Sequence, residues 1–155
     1  MKKYLQKKLN NEKGMTLIEL LAVIVIIAII AAIAIPAIGN IIENSRVGAI
    51  KSDASNVLSA VNLYETDGNN PGTDGTITVT ELADAGYLED TGEIAGATIL
   101  NVANGTINGT TTVDSLTVAF ANADNGTVNS MPNNQTGTYT PATDEGIGTI
   151  TVTRN

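Results

Sequence analysis

"KGMTLIELLAVIVIIAIIAAIAIP", running from Lys13 to Pro36, decides how the rest of this chain is read. From Leu20 to Ile35 no polar side chain interrupts it, and with Pro36, Ala37 and Ile38 the apolar run reaches nineteen residues. The run is apolar all round, so it is not the inward face of a surface helix. As a helix, nineteen residues span roughly 28 Å, about one hydrocarbon core. Lys2, Lys3, Lys7, Lys8 and Lys13 precede it, and a single carboxylate, Glu19, stands at its head. The lysines should stay cytoplasmic, which places the C-terminal bulk outside.

A secretory signal cleaved behind the run fits poorly. The apolar stretch is too long, and the best small-residue site, near Ala34 to Ala37, contains Pro36. A plain membrane anchor accounts for length and orientation but leaves Glu19 unexplained. A carboxylate well inside a bilayer costs at least ~2.5–3.5 kcal/mol, and less near the interface.

The segment closely resembles the class III signal of type IV pilins and of their secretion-system relatives, the pseudopilins. The lysine-rich leader, the Lys13-Gly14 pair, Glu19 and Pro36 carry the resemblance, which is specific from Lys13 to about Ile42. It implies that a prepilin peptidase cuts between Gly14 and Met15, before the apolar run, and that Met15 is then N-methylated. Met15 departs from the family's common phenylalanine, a change the family tolerates. The resemblance further implies that Glu19 pairs with the Met15 amine of a neighbouring subunit. The physics agrees, because a charge in apolar surroundings persists when it is paired. Pro36 lacks an amide hydrogen and Gly39 weakens a helix, so the two mark a helix break, either a simple kink or a stretch that melts on packing into a filament.

Composition narrows the function classes. The sequence has no Cys and no His, which removes disulfides, thiol chemistry, most zinc sites and His-based triads. Charge is split: the first fourteen residues carry a formal +4, and the remainder −12. So acidic a chain has no basic patch for nucleic acid. Acidic pairs such as Glu89-Asp90 and Asp144-Glu145 sit in loop-like sequence and need only solvation. We expect no enzyme activity.

From Val47 to Tyr64 the pattern becomes amphipathic. Val47, Ile50, Ala54, Val57, Val61 and Tyr64 recur at helical steps, with Lys51, Ser52, Ser55, Asn56, Ser59 and Asn62 elsewhere. This should continue the anchor helix to roughly 75 Å in all. "DGNNPGTDG" after Tyr64 is a loop, and Glu81 to Ala85 suits a short helix stopped by Gly86. Beyond Ala97, "ATILNV", "TVDSLTVAF" and "GTITVT" read as strands, with turn signals at Asn104-Gly105, Asn108-Gly109 and Asn125-Gly126. "GTITVT" also occurs at 75–80, where a strand would compete with the helix start.

The expected fold is α+β: a long N-terminal helix whose C-terminal half packs on a small antiparallel sheet of three or four strands. The expected organisation is a cleaved leader over 1–14, the long helix over 15–66 and a globular region over 67–155. Within the helix, 15–38 would serve membrane and filament core, and 40–66 is the amphipathic half. Asp74 and Glu81 fit the second half of an EF-hand loop, but Asn70 and Gly72 spoil the first half. No cofactor is expected; calcium there is the one candidate, and a polar turn with an acidic helix start is the simpler account of both residues. Lys51, the only lysine after Gly14, lies on the helix, so an isopeptide staple is not expected.

The leading function is a structural subunit, with the features of a major pilin, that self-assembles into a helical filament. Its partners would be its own copies, the prepilin peptidase and an inner-membrane assembly platform with its motor. It would start in the bacterial cytoplasmic membrane and end in an extracellular filament. The alternatives are a pseudopilin of a type II secretion or competence DNA-uptake machine, and a monomeric membrane-anchored adhesin.

Overall fold

The computed structural model describes residues 2–69, 71, 74–96, 98–142 and 146–154, with side chains from residue 16 onward. The chain divides into two compact units, 1–42 and 43–155. Helix α1, Lys2–Thr66, contributes to both. After it come β1 (Thr76–Thr78), α2 (Val79–Asp84), β2 (Ile99–Asn101), β3 (Thr106–Val113), β4 (Leu116–Ala123), α3 (Asn125–Ser130), β5 (Gly137–Tyr139) and β6 (Thr149–Arg154).

The strands form one antiparallel sheet in the order β1-β2-β3-β4-β6-β5. The long helix and the antiparallel sheet are as expected; the described residues form six strands, where three or four were anticipated. The difference comes from β1 and β5, of three residues each, and from the division of "TVDSLTVAF" between β3 and β4. Runs so brief carry almost no alternation and are hard to separate from loop.

The core forms where the second half of α1 meets one face of the sheet. Val47, Ile50, Ala54, Val57 and Val61 are buried together with Ile77, Leu100, Ile107, Leu116, Val118, Phe120, Ile150 and Val152. Leu58 and Ala60 are buried too, so the apolar stripe is wider than the six positions read from spacing. Alternation along β4 and β6 sends Leu116, Val118, Phe120, Ile150 and Val152 inward. The opposite face carries cross-strand rows of threonine, Thr112–Thr117–Thr153 and Thr110–Ala119–Thr151–Thr138. Hydroxyls meet within these rows at 3.2 Å for Thr112 and Thr117 and 2.9 Å for Thr138 and Thr151.

Turn signals were partly misread. "TVDSLTVAF" is not one strand: Asp114 and Ser115 form a two-residue connection between β3 and β4, with Val113 opposite Leu116. Asp114 has φ 51°, a conformation aspartate tolerates better than most residues, so no glycine marks the turn. Of the Asn-Gly pairs, only Asn104-Gly105 makes a turn. Asn108-Gly109 lies inside β3, opposite a β-bulge. There the register steps from Ile107–Ala123 to Gly109–Phe120, leaving an extra residue on β4. Asn122 takes φ 51°, and its freed amide donates to the Asn108 side-chain oxygen at 2.8 Å. The bulge restores phase, so Phe120 and Ala123 both face the core. Asn125-Gly126 opens α3.

The first "GTITVT" also resolves. Thr76–Thr78 is strand, then Thr78 caps α2. The Thr78 hydroxyl accepts from the Glu81 amide at 3.2 Å and the Glu81 carboxylate accepts from the Thr78 amide at 2.8 Å, a reciprocal capping box. At Gly86 the backbone turns left-handed, with φ 84°, just beyond the helix.

Candidate functional site

In the N-terminal unit, α1 runs without interruption through Pro36 and Gly39. Pro36 has no amide hydrogen to offer the Ala32 carbonyl, so the helical ladder lacks one bond there. The helix is thus not interrupted at Pro36 and Gly39. Every large apolar side chain from Leu17 to Ile42 is 47–70% exposed. An all-round apolar helix of this kind needs lipid or other protein around it. Among the described residues, one helix, from Thr16, is long and apolar enough to cross a membrane.

Glu19 is exposed on this helix and has no ion pair among the described residues. Gly14 and Met15 fall within α1, five and four residues before it; their side chains lie outside the described ones. A helix sets positions four apart on one face, so residue 15 and Glu19 share a face.

The calcium candidates have local duties. Asp74 accepts from the Thr76 amide at 3.2 Å, and hydrogen bonding by Thr76 lowers its pKa. Glu81 is held by the amide and hydroxyl of Thr78, both at 2.8 Å, and these bonds lower its pKa. Asn70 and Gly72 lie outside the described residues. Among the described residues no three His, Cys, Asp or Glu side chains group for a metal. Thermal melting of the full chain is expected to be unchanged by millimolar calcium; an upward shift that Glu81→Gln abolishes would assign the ion to this loop.

Three polar ties that spacing did not reveal position the globular unit. Arg154, at the end of β6, donates to Glu43 at 2.8 Å, to the Asn44 side chain at 3.1 Å, and to the carbonyls of Asn133 and Gln135 at 3.2 and 3.4 Å. Asp53 accepts from the Glu93 amide at 2.8 Å, and a Cβ on Gly92 would sit 2.3 Å from its carboxylate. That close approach, with φ 55°, requires glycine at 92. Lys51 donates to the Met131 carbonyl and, at 3.4 Å, to that of Asn129, closing the end of α3; burial lowers its pKa. The scarcity of cations after Gly14 was the available signal for Arg154 and Lys51.

Asp124 caps α3 and holds the loop before β6. Its Oδ1 accepts from the Thr127 amide and hydroxyl, each at 2.8 Å, and from the Ile147 amide at 3.0 Å. Burial pushes this carboxyl up, but the bonds from Thr127 and Ile147 outweigh it and hold the pKa below its ordinary value of 3.8. A lowered folded-state pKa contributes stability that is complete above the ordinary value and lost as pH falls through the folded one. Asp124→Ala should destabilise by about 1–2 kcal/mol near neutrality, the range for a lost cap. The gap between Asp124→Ala and the parent, followed by urea unfolding, should narrow in acid below the ordinary aspartate range.

The model of the prokaryotic N-terminal methylation motif matches residues 9–35. No curated protein and no solved structure matches the chain.

Proposed function

Because residues 9–35 carry the N-terminal methylation motif that marks type IV pilins and pseudopilins, we propose that this chain is a filament subunit, and specifically a major pilin. The motif implies processing by a prepilin peptidase and assembly into a filament, starting from a membrane-anchored precursor. In this reading the enzyme cuts between Gly14 and Met15 and methylates the new amine. The globular unit stands outside the membrane, an assembly platform and its motor draw subunits out, and no catalytic turnover is involved. The observation that carries the proposal is an apolar helix exposed on all sides with one carboxylate, Glu19, at its head. Lipid satisfies the apolar surface but not the carboxylate; a bundle of identical helices, each with an amine at residue 15, satisfies both.

The test is electron microscopy of filaments sheared from the cell surface, with N-terminal sequencing of their subunit. Filaments whose subunit begins at methylated Met15 support the reading. A mature N-terminus at residue 1 or near Ile38 overturns it. Correct processing with the subunit retained in the envelope would favour the pseudopilin of a secretion or DNA-uptake machine. A processed monomer that never assembles would favour an anchored adhesin.

A further inference from the structure

The fold holds its Asn-Gly pairs in different ways, and Asn-Gly is the dipeptide most open to spontaneous chemistry. The glycine nitrogen attacks the asparagine side-chain carbonyl carbon and ammonia leaves, forming a five-membered succinimide. Water opens this ring at either carbonyl to give aspartate or isoaspartate. Overall an amide and a water become an acid and ammonia, with no redox partner. Glycine favours the attack because no side chain screens its nitrogen, but the asparagine side chain must be free to swing onto that nitrogen.

Two of the pairs are restrained. The Asn108 side-chain oxygen is held at 2.8 Å by the bulge amide of Asn122, and Gly109 lies in the β3–β4 pairing. The Asn125 side-chain oxygen accepts from Ser55 at 3.1 Å and from Asn129 at 2.6 Å, and Gly126 lies in the first turn of α3. Asn104 is different. It is exposed in the β2–β3 turn, and its side chain has no hydrogen-bond partner among the described residues. The Gly105 amide is engaged only by a long turn bond, 3.2 Å to the Val102 carbonyl. Gly105 has φ 59°, so the turn itself demands glycine after Asn104.

We propose that Asn104 is a built-in deamidation site, converting in the folded protein while Asn108 and Asn125 are protected. Conversion adds a carboxylate to a turn that already packs near the C-terminal end of α1. A Cβ on Gly105 would stand 3.3 Å from the Asn62 side chain, and the helix end is negative and flanked by Glu65 and Asp67. The isoaspartate product also lengthens the backbone of a tight turn by one carbon. The modification therefore loosens the turn as the protein ages.

The test is peptide mapping by mass spectrometry after incubating the full chain in detergent at mildly alkaline pH, with a parallel sample in denaturant. In the folded chain, Asn104 should convert at least about tenfold faster than Asn108 or Asn125, which must wait for local opening. In denaturant the three rates should converge. Asn104→Gln should remove the fast conversion without slowing the others. Equal rates at the three sites in the folded chain, or an Asn104 lead of the same size in denaturant, would overturn the proposal.

Discussion

Arg154→Ala should destabilise the globular unit by about 2–4 kcal/mol, the largest loss we expect from any single polar side chain here. Hydrogen bonds to charged groups contribute about 1.5–3 kcal/mol, and stranding one partner of a buried pair costs about 3–5. The side chains of Arg154 and Glu43 are 17% and 25% exposed, so the lower part of that range applies. By contrast, the Arg46–Asp114 pair, at 36% and 67% exposure, should contribute no more than about 1 kcal/mol. Arg154→Ala leaves Glu43 half-buried without its cation and frees an amide oxygen and two carbonyls at once. Lysine restores charge but not the planar fork, so Arg154→Lys should recover only part of the loss. Urea unfolding of the full chain in detergent measures both, and a double-mutant cycle with Glu43→Gln isolates the pair. A loss below about 0.5 kcal/mol for Arg154→Ala, the size of an ordinary surface change, would show that the tie holds nothing together.

Glu19→Val should leave cleavage at Gly14 intact and reduce surface filaments about a hundredfold or more. The estimate takes a stranded charge at about 3–5 kcal/mol and tenfold per 1.4 kcal/mol. In the proposed filament, valine at 19 would leave the amine at residue 15 of the neighbouring copy in an apolar bundle with no counter-charge. Membrane insertion should be no worse, because the substitution removes a charged side chain from the head of the apolar run. Lost filaments could then not be attributed to failed insertion. Immunoblots separate processed from unprocessed subunit, and shearing quantifies the filament. Undiminished yield would mean that Glu19 does not make the assembly contact.

The parts of this fold that repeat locally were legible. An unbroken apolar run, a helical stripe from Val47 to Tyr64 and the strand character of "GTITVT" each follow from side-chain spacing. The turn through Asp114 was missed because it uses an aspartate where turn chemistry usually advertises glycine. Asn108 and Asn125 misled because each spends its side chain on a distant group rather than on a turn. Arg154 was invisible for the same reason, lying 111 residues from Glu43, and no local pattern encodes such a contact. The methylation motif over residues 9–35 was legible for another cause: it is a pattern of linear sequence, whereas a folded site is assembled from remote residues.

The order of strands has a consequence for aggregation. "LTVAF" in β4 and "TITVT" in β6 are uncharged, proline-free and rich in β-branched residues, the composition that favours cross-β stacking. Neither lies at a border of the sheet. β4 is flanked by β3 and β6, and β6 by β4 and β5, while the borders fall to β1 and β5 at three residues each. Short borders offer little template for another chain. A second chain approaching either border of this sheet thus finds three residues to pair with, too short a run to start a stack.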